Sequence, residues 1–430
     1  MAFDRGAWGA WHKPGQAMAE EVDIAVVGGG AAGFFGALAA AEAAPGCRIV
    51  ILEKARGVLA KVRISGGGRC NVTHACYEPA ELVRHYPRGR RELLGPFHAF
   101  GPRETVAWFA ERGVRLKTEA DGRMFPTTDR SASVIDALTR AAQAAGVAVR
   151  TREGLCGLAP VAGGFALELG GGRRLRARRV LLATGGLKPG PLMGLLEGLG
   201  HRIAPLAPSL FTFNAEDARI AGLAGVSVDP VATAVPQARK LSSGGPLLIT
   251  HWGLSGPAVL KLSAWGAREL HGLGYRFGCR VNWLPGHTAA GAGEALRGEK
   301  AGQARRRVRG AACFGLPGRL WDRLGEAAGI PPERTWSHLT RGELDALAGQ
   351  LTASEFAVDG KSTNKEEFVT CGGVRLKEVA FRTLESRLVP GLHFAGEVLD
   401  IDAVTGGFNF QAAWTTGRLA GLAMAASLGS

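Results

Sequence analysis

The sequence predicts an α/β fold in which a parallel-sheet domain is split in two along the chain by a mixed insert. Three observations predict it. A β-branched run near the front passes through clustered glycines into an alanine-rich helix. A short apolar strand and a glycine-opened helix close the chain. Between them, alternating segments give way to leucines at helical spacing.

The front unit is the most specific. Val22-Asp23-Ile24-Ala25-Val26-Val27 reads as a buried strand. Gly28, Gly30 and Gly33 follow as G-x-G-x-x-G, and a helix runs on to about Ala44. Gly28 makes the tight turn, Gly30 lets a pyrophosphate approach the helix N-terminus, and Gly33 lets the helix lie on the strand. A second strand, Arg48 to Leu52, ends in Glu53, 20 residues past Gly33, where the carboxylate that accepts from a ribose hydroxyl belongs. A dinucleotide is therefore expected, and later segments decide which one.

From Val147 to Ala183 the chain reads as a meander joined by glycine-rich turns, followed by a buried strand that ends in Ala183-Thr184-Gly185-Gly186. Leu392 to Glu397 is another strand with an acid at its end. Gly406-Gly407-Phe408-Asn409 then opens a helix running to about Ala426. This order of parts resembles the FAD-binding Rossmann fold of the glutathione-reductase type. The resemblance implies that the terminal acid meets the ribityl or pyrophosphate region, and that the last helix points at the flavin pyrimidine ring.

Four blocks narrow it. They are Lys61 to Thr73, Thr250 to Pro257, Val369 to Val374, and Ala395 to Asp402 continuing through Asn409. Together they resemble the BaiN/YhiN-like family of FAD-dependent oxidoreductases, related to aminoacetone oxidase, over about 23–423. Motif and resemblance together imply FAD contacts at Gly28, Gly30, Ala31, Ala32, Gly33, Glu53, Lys54 and Leu155. They extend to Gly67, Arg69, Cys70 and Asn71, to Ala183, Thr184 and Gly185, and to Gly396, Glu397, Asp400, Gly407, Phe408 and Asn409. Two departures stand out. The loop after Gly186 is short, and of the basic residues that precede the signature loop in the family only Lys61 clearly remains.

The domains read as a tail over 1–19, an FAD-binding part over 20–190, an inserted substrate domain over 191–355 and a second FAD-binding part over 356–430. The resemblance implies a β-barrel-like portion in the insert, followed by a small helical one. Val226-Ser227-Val228 and Val231 to Val235 read as strands; Leu320, Leu324, Leu344 and Leu347 fall at helical spacing. Ala-Gly runs at 289–294 suggest a mobile loop. No second G-x-G-x-x-G follows a strand, which favours transient NAD(P)H binding over the flavin, a different electron source, or a degenerate nucleotide site.

The chain has 430 residues, enough for about three domains or one large composite. An apolar share of 46% and a charged share of 21% exclude a disordered or fibrous chain. Seven cysteines without a CxxC pair exclude a disulfide framework and the dithiol of two-nucleotide reductases, so a cytoplasmic protein is expected. No membrane span and no metal site are expected. Met18, just ahead of the first strand, reads as an alternative start.

The catalytic residues stay open. Cys70 reads either as a thiol at the ring edge or as a small buried residue closing a tight loop. Arg69 reads as an anion contact or a structural ion pair, and His251 as a cavity residue or a structural histidine. Net charge is +14, with clusters at Arg84, Arg88, Arg90 and Arg91, at Arg173 to Arg179, and at Arg305, Arg306, Arg307 and Arg309. They read either as a solvated surface or as contacts to RNA phosphates. Tyr77, Tyr86 and Phe97 accompany the first cluster. Some members of the family are associated with reduction of uridine in ribosomal RNA. The expected activity is therefore an NAD(P)H-fed flavin reductase of a C=C bond, on a small molecule or on RNA. The alternatives are an amine oxidase using oxygen and a non-catalytic flavin-containing RNA-binding factor.

Overall fold

The computed structural model describes residues 20–238, 240–362 and 369–429. The tail over 1–19, with Met18, lies outside them.

Five parallel strands form the centre of the main sheet, in the order Leu392–Phe394, Arg174–Leu182, Glu20–Val27, Ile49–Glu53, Ala148–Thr151. The runs are continuous in Val, Ile and Leu because both faces are covered. Ile24, Val26, Ile51 and Leu181 are fully buried. Each such side chain contributes roughly 1.5–3 kcal/mol by leaving water. The expected meander is the hairpin Leu155–Val161 and Gly164–Leu169, which joins the sheet antiparallel to Arg174–Leu182.

On one face the helix Ala31–Ala43 packs along the last helix, Phe408–Ala426. Small residues make this possible. A Cβ on Gly417 would sit 2.3 Å from the Ala32 carbonyl oxygen, and one on Gly421 would sit 2.1 Å from that of Gly36. The first glycine unit and the last helix, nearly 400 residues apart in sequence, thus form one backbone-to-backbone contact. Because the central strands are parallel, Val27, Glu53, Leu182 and Phe394 all end at one edge, and the loops that follow them gather there.

The insert has its own core, from Phe211 to Val358. Its seven-stranded sheet runs in the order Ser354–Val358, Phe277–Asn282, Ser227–Ala234, Ser242–Thr250, Gly253–Ser255, Thr212–Asn214, Gly360–Ser362. The strand Ser354–Val358 straddles the boundary expected at 355, so the insert sheet continues to Ser362. At the other end the helix Pro191–Gly198 packs on the first core through Leu196, so the insert core starts nearer Phe211 than 191. The antiparallel pair Ile203–Ser209 and Val369–Val374 carries the chain out of the first domain and back.

The loop expected at 289–294 is instead the start of a helix, Ala289–Gly302. Thr288 caps it by accepting from Gly291 N at 3.2 Å, and Ala292, Gly293 and Leu296 are buried beside the helix Arg341–Ala353. No described helix is long and apolar enough to cross a membrane.

Candidate active site

The carboxyl edge of the parallel sheet carries most of the expected cofactor residues. Gly28 and Gly33 are required by the backbone itself. A Cβ on Gly28 would meet the Ala183 carbonyl oxygen at 2.3 Å, and one on Gly33 would meet the Gly28 carbonyl oxygen at 1.9 Å. Gly30 differs, because a Cβ there would meet no protein atom within 4 Å. It faces open space at a helix N-terminus with no side-chain cap, flanked by Ala31 and Ala32 in the first turn. The free N–H groups of that turn favour an anion.

Glu53 is pinned at the end of its strand. One carboxylate oxygen accepts from Gly29 N at 2.9 Å and the other from Ala55 N at 2.8 Å. The segment around Glu153 runs alongside, with Glu153 N donating to the Glu53 carbonyl at 2.9 Å and Gly154 against Lys54. This places Lys54 and Leu155 next to Glu53. Across the edge, Ala183 N donates to the Val27 carbonyl at 2.8 Å, and Thr184 follows with its hydroxyl oxygen buried and unpartnered. Gly185 adopts φ +74° facing open space, and Gly396, φ +73°, lies 3.1 Å from Ala32 by its Cβ position. A glycine cradle, a fixed carboxylate and a buried hydroxyl lacking a partner fit the pyrophosphate, ribose and linker of FAD.

Glu397 is held from two sides, accepting from Thr370 N at 2.8 Å and from Lys61 Nζ at 2.7 Å. It therefore ties the signature loop to the strand Val369–Val374. In that loop Gly66, Gly67 and Gly68 all have positive φ, and Cys70 follows at φ +64°. Gly67 and Gly68 face open space, whereas Cys70 is fully buried with its N–H on the Ser65 carbonyl at 2.9 Å. Burial pushes its thiol up to about 12. Cys70 closes the loop and is not a thiolate; Cys371, also buried, is pushed up to about 11.

Several expected contacts are spent elsewhere. Arg69 donates to Glu119 at 2.5 Å, lies 3.6 Å from Asp129 and stacks 3.9 Å over the Phe125 ring, so it is a structural ion pair. Asp400 is paired with Arg268 at 2.7 Å, a partner from the insert that no local pattern reveals. Asn409 brackets Ala403, accepting from its N–H at 2.9 Å and donating to its carbonyl at 3.1 Å. Asn71, with its amide oriented to satisfy its neighbours, accepts from Gly407 N at 2.9 Å and so holds the start of the last helix. His251 sits exposed on the turn between Thr250 and Gly253, beside an exposed Trp252. Tyr86 and Phe97 are buried core residues and stack on nothing outside.

The structure also assembles a group that the sequence did not suggest. At the foot of the last helix, just past Gly406 and Gly407, the Phe408 ring stacks on His85 at 4.1 Å and on His74 at 4.6 Å, and the two imidazoles are 5.9 Å apart. Tyr86 Oη donates to the Phe408 carbonyl at 2.6 Å and locks the turn. Burial, then the nearby His74 and Lys261, lower His85 to about 4. His74 is lowered too, mainly by burial; its Nε2 lies 3.1 Å from the Asp121 carbonyl and its Nδ1 is buried without a partner. Both rings are neutral at pH 7. Nothing short-range signals this pair, because it depends on Phe408, more than 300 residues away.

With this geometry in place, the family model for the HI0933-like protein Rossmann domain matches residues 22–423. The chain belongs to the HI0933-like family. This agrees with the resemblance carried by the four blocks, and makes the protein an FAD-dependent oxidoreductase. Among its relatives, the 3-dehydro-bile acid delta(4,6)-reductase of Clostridium scindens is 31% identical, over 94% of this chain and 98% of the relative. The ribosomal RNA dihydrouridine synthase of Escherichia coli is 30% identical, over 92% and 96%. Among solved structures, a 3-ketosteroid-delta4-(5alpha)-dehydrogenase from Rhodococcus jostii superposes with a TM-score of 0.53 at 17% identity. It covers 96% of this chain and 98% of that one, and shows the shared fold. In this HI0933-like chain the glycine cradle, Glu53 and Thr184 gather at one edge of the sheet, where they fit a dinucleotide, and the histidine pair lies where the last helix begins.

Proposed function

We propose that this HI0933-like protein adds two hydrogens across a C=C bond conjugated to a carbonyl, with a uracil base of ribosomal RNA as substrate and NAD(P)H as electron source. One observation carries the reading. Two relatives, each matched almost end to end, are named for a delta(4,6)-reductase of a 3-dehydro-bile acid and for a dihydrouridine synthase. The chemistry common to those names is reduction of a ring double bond in conjugation with a carbonyl. The site agrees with it. No CxxC pair exists and Cys70 is held as a buried neutral thiol, so no dithiol relay competes for electrons. FAD, when bound, supplies hydride transfer at its N5.

The chain's own residues do the rest. The helix start at Gly30 and the Glu53 carboxylate hold the pyrophosphate and ribose. Neutral His85 lies beside the start of the last helix, where its ring N–H can hold a substrate carbonyl oxygen without placing a cation next to it, while neutral His74 gives its one N–H to the Asp121 carbonyl. The net charge of +14 favours a polyanionic substrate over a steroid acid. Anaerobic mixing tests the electron source: NADPH should bleach the yellow protein rapidly, and a small amine alone should not. Bleaching by the amine but not by NADPH would replace the reductase with an amine oxidase.

A further inference from the structure

We propose that the insert segment 303–308, with Arg305, Arg306 and Arg307 in line, is the surface on which phosphates of the RNA substrate seat. The proposal rests on the RNA reading above and adds where on the molecule the RNA lies.

The segment is tied down by backbone pairing. It pairs with 334–337 through Val308 N to the Arg334 carbonyl at 2.9 Å, Trp336 N to the Arg306 carbonyl at 3.0 Å and Ser337 N to the Ala304 carbonyl at 2.9 Å. Beneath it Val308, Trp321 and Trp336 are fully buried, and Trp321 Nε1 donates to the Val308 carbonyl at 2.7 Å. The three arginines are thus carried on a fixed edge. Binding to them loses less conformational freedom than binding to a flexible tail.

Their charge is unspent. Arg305, Arg306 and Arg307 are all exposed, and none has a carboxylate partner among the described residues. Among the described residues, the Arg306 guanidinium donates to Gln303 Oε1, at 2.9 Å, and to no carboxylate. The nearby acids are engaged: Glu326 with Arg309 and Arg323, Glu343 with Arg334, Asp322 with Gly310 N, and Glu299 with Gln303. Arg309 leaves the cluster, because its stem packs against Gly325 and its head pairs with Glu326.

The other basic clusters differ. Arg173 pairs with Glu153, Arg176 with Glu21 and Arg178 with Asp23, and Arg179 binds Ser427. Arg88 is buried against Asp402 and Arg84 pairs with Glu81, leaving Arg90 and Arg91. Three adjacent guanidinium groups without a paired carboxylate can neutralise phosphates and release the cations condensed on the RNA.

The test is a salt titration of binding to a transcribed ribosomal RNA hairpin, with flavin absorbance recorded throughout. The wild type should show log K falling linearly with log salt. Arg305→Ala/Arg306→Ala/Arg307→Ala should weaken binding on the order of tenfold or more and make the slope shallower by about 2–3. Arg176→Ala/Arg178→Ala, which removes paired charges, should leave the slope near wild type. The triple lysine variant, Arg305→Lys/Arg306→Lys/Arg307→Lys, keeps the charge and should keep the slope; a loss of slope there would overturn the electrostatic account. A triple alanine variant with the wild-type slope sinks this location but leaves the RNA reading intact. A wild type that binds the hairpin without salt dependence sinks the location alone, and a wild type that does not bind the hairpin sinks the RNA reading, and the location with it.

Discussion

Gly30 and Gly33 are three residues apart, yet a side chain has opposite consequences at the two positions. At Gly30 the added atoms enter open space, so Gly30→Val should fold normally and purify without FAD. Near-wild-type thermal unfolding together with a colourless protein is the expected pair of results. At Gly33 a Cβ lands 1.9 Å from the Gly28 carbonyl oxygen, so Gly33→Ala should lower stability by about 1–3 kcal/mol or more in denaturant titration. The buried pair of Arg88 and Asp402 makes a third case. Asp402 also accepts from Ser209 Oγ at 2.8 Å, and Arg88 Nη1 donates to the Ala264 carbonyl at 2.7 Å. Asp402→Ala leaves the guanidinium buried without its carboxylate and should cost about 3–5 kcal/mol, measured by the same titration. At this scale the sequence was legible where the requirement is local. Gly28, Gly30, Gly33 and Glu53 answer to a turn, a cradle and a strand end within one βαβ unit. Arg268 and Ala403 engage the side chains of Asp400 and Asn409, and the Arg268 pairing exists only after the insert has folded.

Among the elements, the start of the last helix carries the most chemistry. Asn71, Tyr86, His74 and His85 reach it from the first half of the chain and hold Gly407 and Phe408 in place. His85 is lowered from 6.5 to about 4, first by burial and then by His74 and Lys261, with Glu81 opposing. The unfolded chain therefore binds the proton more readily than the folded one. Stability present above about pH 6.5 is lost as pH falls towards 4, and it levels off below that. His74, His201 and His393 are also lowered, chiefly by burial, and add to the same slope. His85→Phe should keep the stacking and make the unfolding midpoint less pH-dependent between pH 6.5 and 4. A variant with the wild-type slope would remove His85 from that account. The helix itself was legible from its opening glycines and its alanine-rich length. The helix Ala289–Gly302 was not, since composition alone does not distinguish glycines in a loop from glycines within a helix.

For the whole molecule, the two large hydrophobic cores have edges set by strand pairing instead of by composition. Ser354–Val358 stays with the insert because it pairs with Phe277–Asn282, a relation without any signal near residue 355. The HI0933-like fold brings the dinucleotide cradle, the neutral histidine pair and a basic insert edge into one chain, and the central claim is reduction of a conjugated C=C bond in RNA. A single-turnover reaction tests it most directly. The protein is reduced anaerobically with NADPH, freed of excess nucleotide and mixed with a uridine-bearing ribosomal RNA hairpin, and the RNA is then digested and weighed. The account predicts that the yellow absorbance returns without oxygen, in step with one uridine gaining the mass of two hydrogens per flavin. Flavin that stays reduced until oxygen is admitted, with every uridine unchanged, would contradict it.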